Sequence, residues 1–350
     1  MRDRWRLTRR LLAGLLVWSV LAAPVALAEP PGSLDPAQHR LAHGFRNLDA
    51  GYHYTVLGRT ATLLRRTWQR DPPRGTPPAV LANDGAELRA NGTHATITWV
   101  GHATMLIQLD GVNILTDPIW SRHAGPYGFG PRRLVPPGLR FEDLPHIDAV
   151  IISHDHYDHL DRATVRRLAR EHHPRFFVPL GIGAWLRDED ITTNVVELDW
   201  WQAQAFEGLT FVATPAQHAS GRTLADQNRR LWASWVVLGA HQRLFFGGDT
   251  GYTPALADIG QRYGPFDLAV LPIGGYSAFA AHHPNHLSPE ESVQLFEDLH
   301  AQLLVPMHWG TFALNREPYR EPPDRLMAEA LRRGLEEHVA VLSPGQSIPW

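Results

Sequence analysis

The stretch "IDAVIISHDHYDHLD" constrains the fold of this chain more than any other. Its first half is a continuous apolar run, the mark of a strand covered on both faces. Its second half sets His154, His156, Asp158 and His159 directly behind that strand, where open α/β sheets place their ligands. In extended chain, residues i and i+2 point the same way, so the imidazoles of His154 and His156 can face one ion. Asp158 and His159 come as the chain turns toward a helix with Asp161 as its N-cap, and they face a second point close by. Four titratable groups beside a buried strand are costly without a counter-charge, so the spacing predicts two adjacent metal ions. The chain has no cysteine, which excludes a disulfide scaffold and thiolate ligation and leaves the metals to histidine and carboxylate.

Two ions need more ligands than one loop supplies. His218 follows the strand-like "LTFVATPAQ", Asp249 follows "RLFFGG" and His308 follows "LLVPM". One ion would take His154, His156 and His218. The other would take Asp158, His159 and His308, with Asp249 bridging, and Gly247 and Gly248 would let that backbone approach the pair. Zinc suits this donor set; manganese and iron accept it as well.

The rest of the chain reads as one layered α/β domain over residues 93–350. "ATITWV", "TMLIQL" and "VNILT" are strand-like, and Asp110-Gly111 between the last two signals a hairpin. "RFFVPL", "NVVEL" and "LTFVAT" follow, with a helical "IGAWLRDE", and "LWASWVVLG" with "RLFFGG" forms a second hairpin-like pair. The last third alternates "FDLAVLPIG", a helix opened by a capping box at Ser288 and Glu291, "LLVPM", a helix from about Pro323 to Gly334, and a final strand "VAVLS". Residues 29–92 read as an irregular arm with a short helical piece around Thr60 to Trp68. Residues 1–28 have the layout of a secretory signal peptide cut after Ala28, which predicts export to the periplasm or beyond. Arg9-Arg10 fits a twin-arginine signal or the basic start of an ordinary one; an uncleaved signal anchoring the chain is the alternative. A net charge of −3 with dispersed arginines argues against a nucleic-acid partner.

Taken in order, "TWVGHATMLIQLDGVNILTDPIW", "ISHDHYDHLD", "ELDWW", "TPAQHASGRTLADQNRRLWASWV", "FFGGDTGY" and "MHWGTF" resemble the metallo-β-lactamase superfamily and, within it, the N-acyl-phosphatidylethanolamine-hydrolysing phospholipase D family. The resemblance runs from about residue 90 to the C-terminus. It implies the αββα sandwich, the ligand roles given above to the seven residues, support of the histidine loop by Asp117, and an additional active-site histidine at His286, which would contact the phosphate or protonate the leaving oxygen. Asp155 and Asn285 stand where the animal members have asparagine and glutamine, and "AFAAHHPN" does not match their apolar substrate-facing loop.

The resulting expectation is a dinuclear zinc hydrolase in which a metal-activated hydroxide attacks a phosphodiester. Asp158, Asp249 and His286 would be catalytic, and the substrate would be a glycerophospholipid or another small phosphodiester. No G-x-S-x-G elbow offers a side-chain nucleophile. A lactone, β-lactam or other ester is the alternative substrate on the same site, and a non-catalytic metal-binding module is the alternative class. Trp185, Trp200, Trp201, Trp232 and Trp235 would line an acyl groove or pack in the core. Arg132-Arg133 in "YGFGPRRLVPPGL" would meet a phosphate or an anionic membrane surface at a peripheral contact, or form a solvated basic turn.

Overall fold

The computed structural model describes residues 36–49, 73–276, 283–314 and 317–350. The expected signal peptide and the helical piece at Thr60 to Trp68 lie outside them. Strands β1 (Arg40–Leu41) and β2 (Gly44–Phe45) form a small hairpin in the arm, and helix α1 (Ala86–Ala90) precedes the first large sheet. That sheet contains β3 (Thr96–Gly101), β4 (Thr104–Leu109), β5 (Val112–Thr116), β6 (Ala149–Ile151), β7 (Arg175–Pro179), β8 (Val195–Leu198) and β15 (Ser347–Pro349), in the order β15-β3-β4-β5-β6-β7-β8. The second contains β9 (Ala203–Phe206), β10 (Leu209–Thr214), β11 (Ser234–Leu238), β12 (Arg243–Phe246), β13 (Leu268–Pro272) and β14 (Leu303–Met307), in the order β14-β13-β12-β11-β10-β9.

Period-2 burial shows why the sheets stack. In the first sheet Ile97, Trp99, Met105, Ile107, Ile114, Ile151 and Phe177 face the second sheet and share its core. The intervening Val100, Leu106, Leu115, Val150 and Phe176 enter a separate core under helices α2 (Arg162–Glu171) and α3 (Ile182–Asp188). Phe177 of one sheet stacks on Phe211 of the other with ring centroids 4.0 Å apart. Helices α4 (Ala257–Tyr263), α5 (Pro289–Asp298) and α6 (Glu321–Arg333) pack beside the second sheet through Ile259, Phe296 and Leu326. The layers are therefore helix, sheet, sheet, helix, the αββα sandwich.

Both expected hairpins form, with Asp110 and Gly111 each at positive φ as a tight two-residue turn requires. The capping box on α5 is complete: Glu291 N–H donates to Ser288 Oγ and the Ser288 N–H to the Glu291 carboxylate. Asp161 is the N-cap of α2 by position, but its carboxylate accepts from Ser121 and Thr164 instead of the helix N–H groups. The expected strand "VAVLS" does not form. Val339 makes one bridge to Leu304 of the second sheet, and the chain then crosses to the first, where Ser347–Pro349 pairs with β3. That run is apolar because it packs on the core, Leu342 buried and Val339, Ala340 and Val341 partly so, with no ladder partner along most of its length.

Topology fixes where side chains from distant stretches meet. β5 and β6 are parallel, as are β12, β13 and β14, while β3 and β10 are each two antiparallel steps from β5 and β12. All these strands therefore end on one edge of the sandwich, the edge where such sheets bind ligands.

Candidate metal centre

At that edge two clusters of ligand-type atoms converge. His154 Nε2 lies 2.8 Å from His156 Nδ1, which lies 3.2 Å from His218 Nε2. The second cluster holds Asp158, His159 and His308 together with His102. Asp249 reaches both: its Oδ2 is 3.3 Å from His159 Nε2 and 3.8 Å from His218 Nε2, and its Oδ1 is 3.2 Å from His308 Nε2. The seven residues picked from strand ends are thus brought together in the expected grouping, three imidazoles on one side, Asp158, His159 and His308 on the other, and Asp249 between.

The outer nitrogen of each imidazole decides what the inner one offers. His218 Nδ1 donates to the Asn285 carbonyl at 2.8 Å and His308 Nδ1 to the Gly274 carbonyl at 3.3 Å. His159 Nδ1 donates to Asp117 Oδ2 at 2.7 Å. Each Nε2 is therefore the nitrogen that faces inward and the one that would ligate. His159 Nε2, His308 Nε2 and Asp249 Oδ1 are buried and have no hydrogen-bond partner. Buried polar atoms left unpaired are rare and costly, and a divalent cation would satisfy them, so the donor set fits two metal ions. Burial pushes His218 down to about 4, the neutral form in which imidazole is a ligand. Burial opposes ionisation of Asp249 and Asp158 too, yet His159 beside each holds both well below the usual carboxylate range.

Asp117 does more than support one histidine. Its Oδ1 accepts the Ser153 N–H at 2.7 Å and its Oδ2 the Ser153 hydroxyl at 2.6 Å, while Ser153 Oγ sits 2.9 Å from His154 Nδ1. One carboxylate thus orients histidines of both clusters. Gly248 serves this contact: at φ +57° it passes so close to Ser153 that a Cβ would fall 2.4 Å from the serine Cβ. Gly248 therefore makes room for the histidine loop, and Gly247 for Val270, Leu271 and Pro272 of β13, rather than for the metals themselves. Asp155, between the first two histidines, turns away and accepts from Gly221 N–H and Arg230 at 2.6 and 2.7 Å. His286 is buried against the clusters, its Nδ1 3.6 Å from Asp249 Oδ2.

Two residues of the site escaped the reading of the sequence. His102, in "GHAT" at the end of β3, lies with its Nε2 3.0 Å from Asp158 Oδ2 and its ring 4.1 Å from that of His308. Burial, aided by His308, pushes it down to about 3, so a neutral ring donates to the carboxylate and orients it. It closes a strand as His218 and His308 do, and that signal would have found it. His102, Asp117 and His308 all sit in the left-handed region, at φ 57°, 36° and 63°, a strain of about 1–3 kcal/mol each that tends to gather at functional sites.

The second is Asn47. Its Nδ2 donates to the His218 carbonyl at 2.8 Å, and its Oδ1 accepts the His218 N–H at 3.0 Å and the Trp232 indole N–H at 3.0 Å. The arm is itself fastened by His39 and Arg40 to Asp199. Asn47→Ala is expected to weaken metal binding by about 10–100-fold at the three-histidine cluster, read as a drop from two ions to one when metal is titrated at limiting concentration. Unchanged binding of both ions would make the bracket merely structural.

The tryptophans divide. Trp200, Trp232 and Trp235 are core residues whose indoles donate to Trp232 O, Ala216 O and Ile152 O, and Trp201 packs on Tyr263. Trp185 alone lines an open groove. Arg133 is not available to a ligand, because it donates to the Ile119 and Ser121 carbonyls and covers Phe312.

Fold and site together define a metal-dependent hydrolase. Residues 112–309 match the family model of the β-lactamase superfamily domain, and the chain belongs to the metallo-β-lactamase superfamily. It is 40% identical to an uncharacterized protein of Mycobacterium tuberculosis over 97% of this chain and 93% of the relative. It is also 40% identical to the N-acyl-phosphatidylethanolamine-hydrolyzing phospholipase D 1 of Caenorhabditis elegans, over 65% of this chain and 68% of the relative. Among solved structures, an isothiocyanate hydrolase from Delia radicum gut bacteria shares the fold with a TM-score of 0.59 at 23% identity, covering 73% of this chain and 98% of that one.

Proposed function

We propose that this protein is a zinc phosphodiesterase of the phospholipase D type, acting on N-acyl-phosphatidylethanolamine or a close glycerophospholipid. The observation that carries the reading is Asp249 spanning two histidine clusters, with its own Oδ1, His159 Nε2 and His308 Nε2 buried and without a hydrogen-bond partner, and the Caenorhabditis elegans relative points to the substrate class. His154, His156 and His218 would hold one ion, Asp158, His159 and His308 the other, and Asp249 both. Bound there, two cations would activate water and offset charge on the phosphoryl oxygens.

The chain's own residues supply the rest. Asp117 and His102 keep the ligands in their working tautomers and orientations. Phe312 is buried edge-on against His102 and keeps bulk water from that side of the centre. Water adds to phosphorus, the bond from phosphorus to the ethanolamine oxygen breaks, and the products are phosphatidic acid and an N-acylethanolamine. His286, which burial holds well below the usual histidine range and whose Nδ1 has no hydrogen-bond partner, takes a proton from the attacking water and passes it to the leaving oxygen.

The test is mass spectrometry of products after metal-loaded protein meets N-acyl-phosphatidylethanolamine in mixed micelles, with His156→Ala as control. Metal-dependent release of both products is expected. No release by protein that holds two ions would overturn the substrate and move it to another phosphodiester or a lactone.

A further inference from the structure

Among the described residues the three most exposed large apolar side chains are Tyr127, Phe129 and Leu224, at 90%, 73% and 66%. Full exposure of aromatic rings on a folded protein marks an interaction site when the rings gather in one place. Tyr127 and Phe129 form the tip of a loop closed by a bridge between His123 and Arg132 and by the Ala124 N–H donating to the Pro131 carbonyl. Arg133 fastens its base through the Ile119 and Ser121 carbonyls, so the tip is held out on an anchored stem. Behind it runs a groove of about 840 Å³ that reaches Tyr157 and Leu160 of the histidine loop. Thr223 lines the same groove, and exposed Leu224 follows it in the chain.

Charge points the same way. Of the four arginines lining the groove, Arg162 and Arg166 pair with Glu189 and Asp190 and Arg222 donates to the Asp155 and Leu160 carbonyls, so the positive charge presented outward is that of exposed Arg122, with exposed Arg132 beside it at the stem. Aromatic tips above a basic collar suit a bilayer: the rings settle at headgroup level and the guanidinium groups meet anionic phosphates. We propose that the loop 122–132, with Leu224, docks the protein on anionic phospholipid bilayers, where a lipid substrate would be drawn. This surface rests on the phospholipid reading for its purpose but not for its test.

The test is co-sedimentation of the full chain with phosphatidylcholine vesicles, with and without about a third phosphatidylglycerol, beside turnover of the water-soluble bis(p-nitrophenyl) phosphate. Wild type is expected to sediment with the anionic vesicles. Tyr127→Ala/Phe129→Ala is expected to bind them about tenfold more weakly or less, and Arg122→Gln and Arg132→Gln about fivefold each, with soluble turnover unchanged in all. Vesicle binding unaltered in the double variant, or absent in wild type that hydrolyses the soluble diester, overturns the docking surface and leaves the hydrolase intact. Self-association abolished by the same substitutions, without vesicle binding, overturns it in favour of a protein contact.

Discussion

Asp249→Ala is expected to leave a folded protein that binds neither metal tightly and has lost roughly 10³-fold or more of its hydrolytic activity. Loss of a single partner behind a metal ligand costs about 10–100-fold, and Asp249 is nearer than that: its two oxygens lie within 3.3 Å of His159 Nε2 and His308 Nε2, one in reach of His218 as well. It is the group by which each cluster feels the other. Burial alone would lower His159 and His308, and Asp249 heads the carboxylates that hold His159 well above the ordinary histidine range and His308 at about 9. Without Asp249 the metal-free site is a knot of imidazoles short of one negative charge, and a second dication would bind against the first with less to offset it. The core is untouched, since Phe245, Phe246 and Val270 are fully buried in the hydrophobic core of the second sheet. Three measurements check this: metal content after dialysis, the rise of Tm on adding metal, which should vanish with binding, and turnover. Full activity in metal-free Asp249→Ala would falsify the dinuclear scheme.

Asp249 was legible in the sequence for the reason that makes it central. A ligand placed at a strand's end announces itself, because a run of buried apolar residues is followed at once by a group that cannot be buried alone. His218, His308 and the histidine loop share that signature, and together they outline the site without a structure. His102 carries it too, but as a single histidine in a two-residue turn, and a lone histidine is a weak sign. Asn47 carries none. It meets His218 across 171 residues of chain, through backbone groups that any residue has, so only the packed fold reveals the contact. The same limit explains "VAVLS", where packing against the core without a ladder partner and pairing within a sheet give the same apolar run. Arg133 and the core tryptophans show the converse: side chains rich in chemistry whose polar atoms are already used by neighbouring carbonyls.

The second large effect concerns His286, which the structure places where two roles meet. It forms a ligand-distance group with His218 and Asp249, yet His218, Asp249 and their neighbours already supply both clusters, and its Nδ1 lies 3.6 Å from Asp249 Oδ2 with no partner. Gly275 turns beside it at φ +84°, so that a Cβ there would stand 3.0 Å from the same nitrogen. That opening leaves room for a leaving oxygen. If His286 gives up the proton, His286→Ala keeps both metals and loses about 10²–10⁴ in kcat on a phospholipid, because an alkoxide is a poor leaving group. A p-nitrophenolate departs without a proton, so the same variant should lose little on bis(p-nitrophenyl) phosphate. The comparison separates chemistry from structure: a ligand or a packing residue would depress both substrates alike. Equal losses on the two, or one missing metal in the variant, would make His286 a ligand and leave protonation of the leaving group to water.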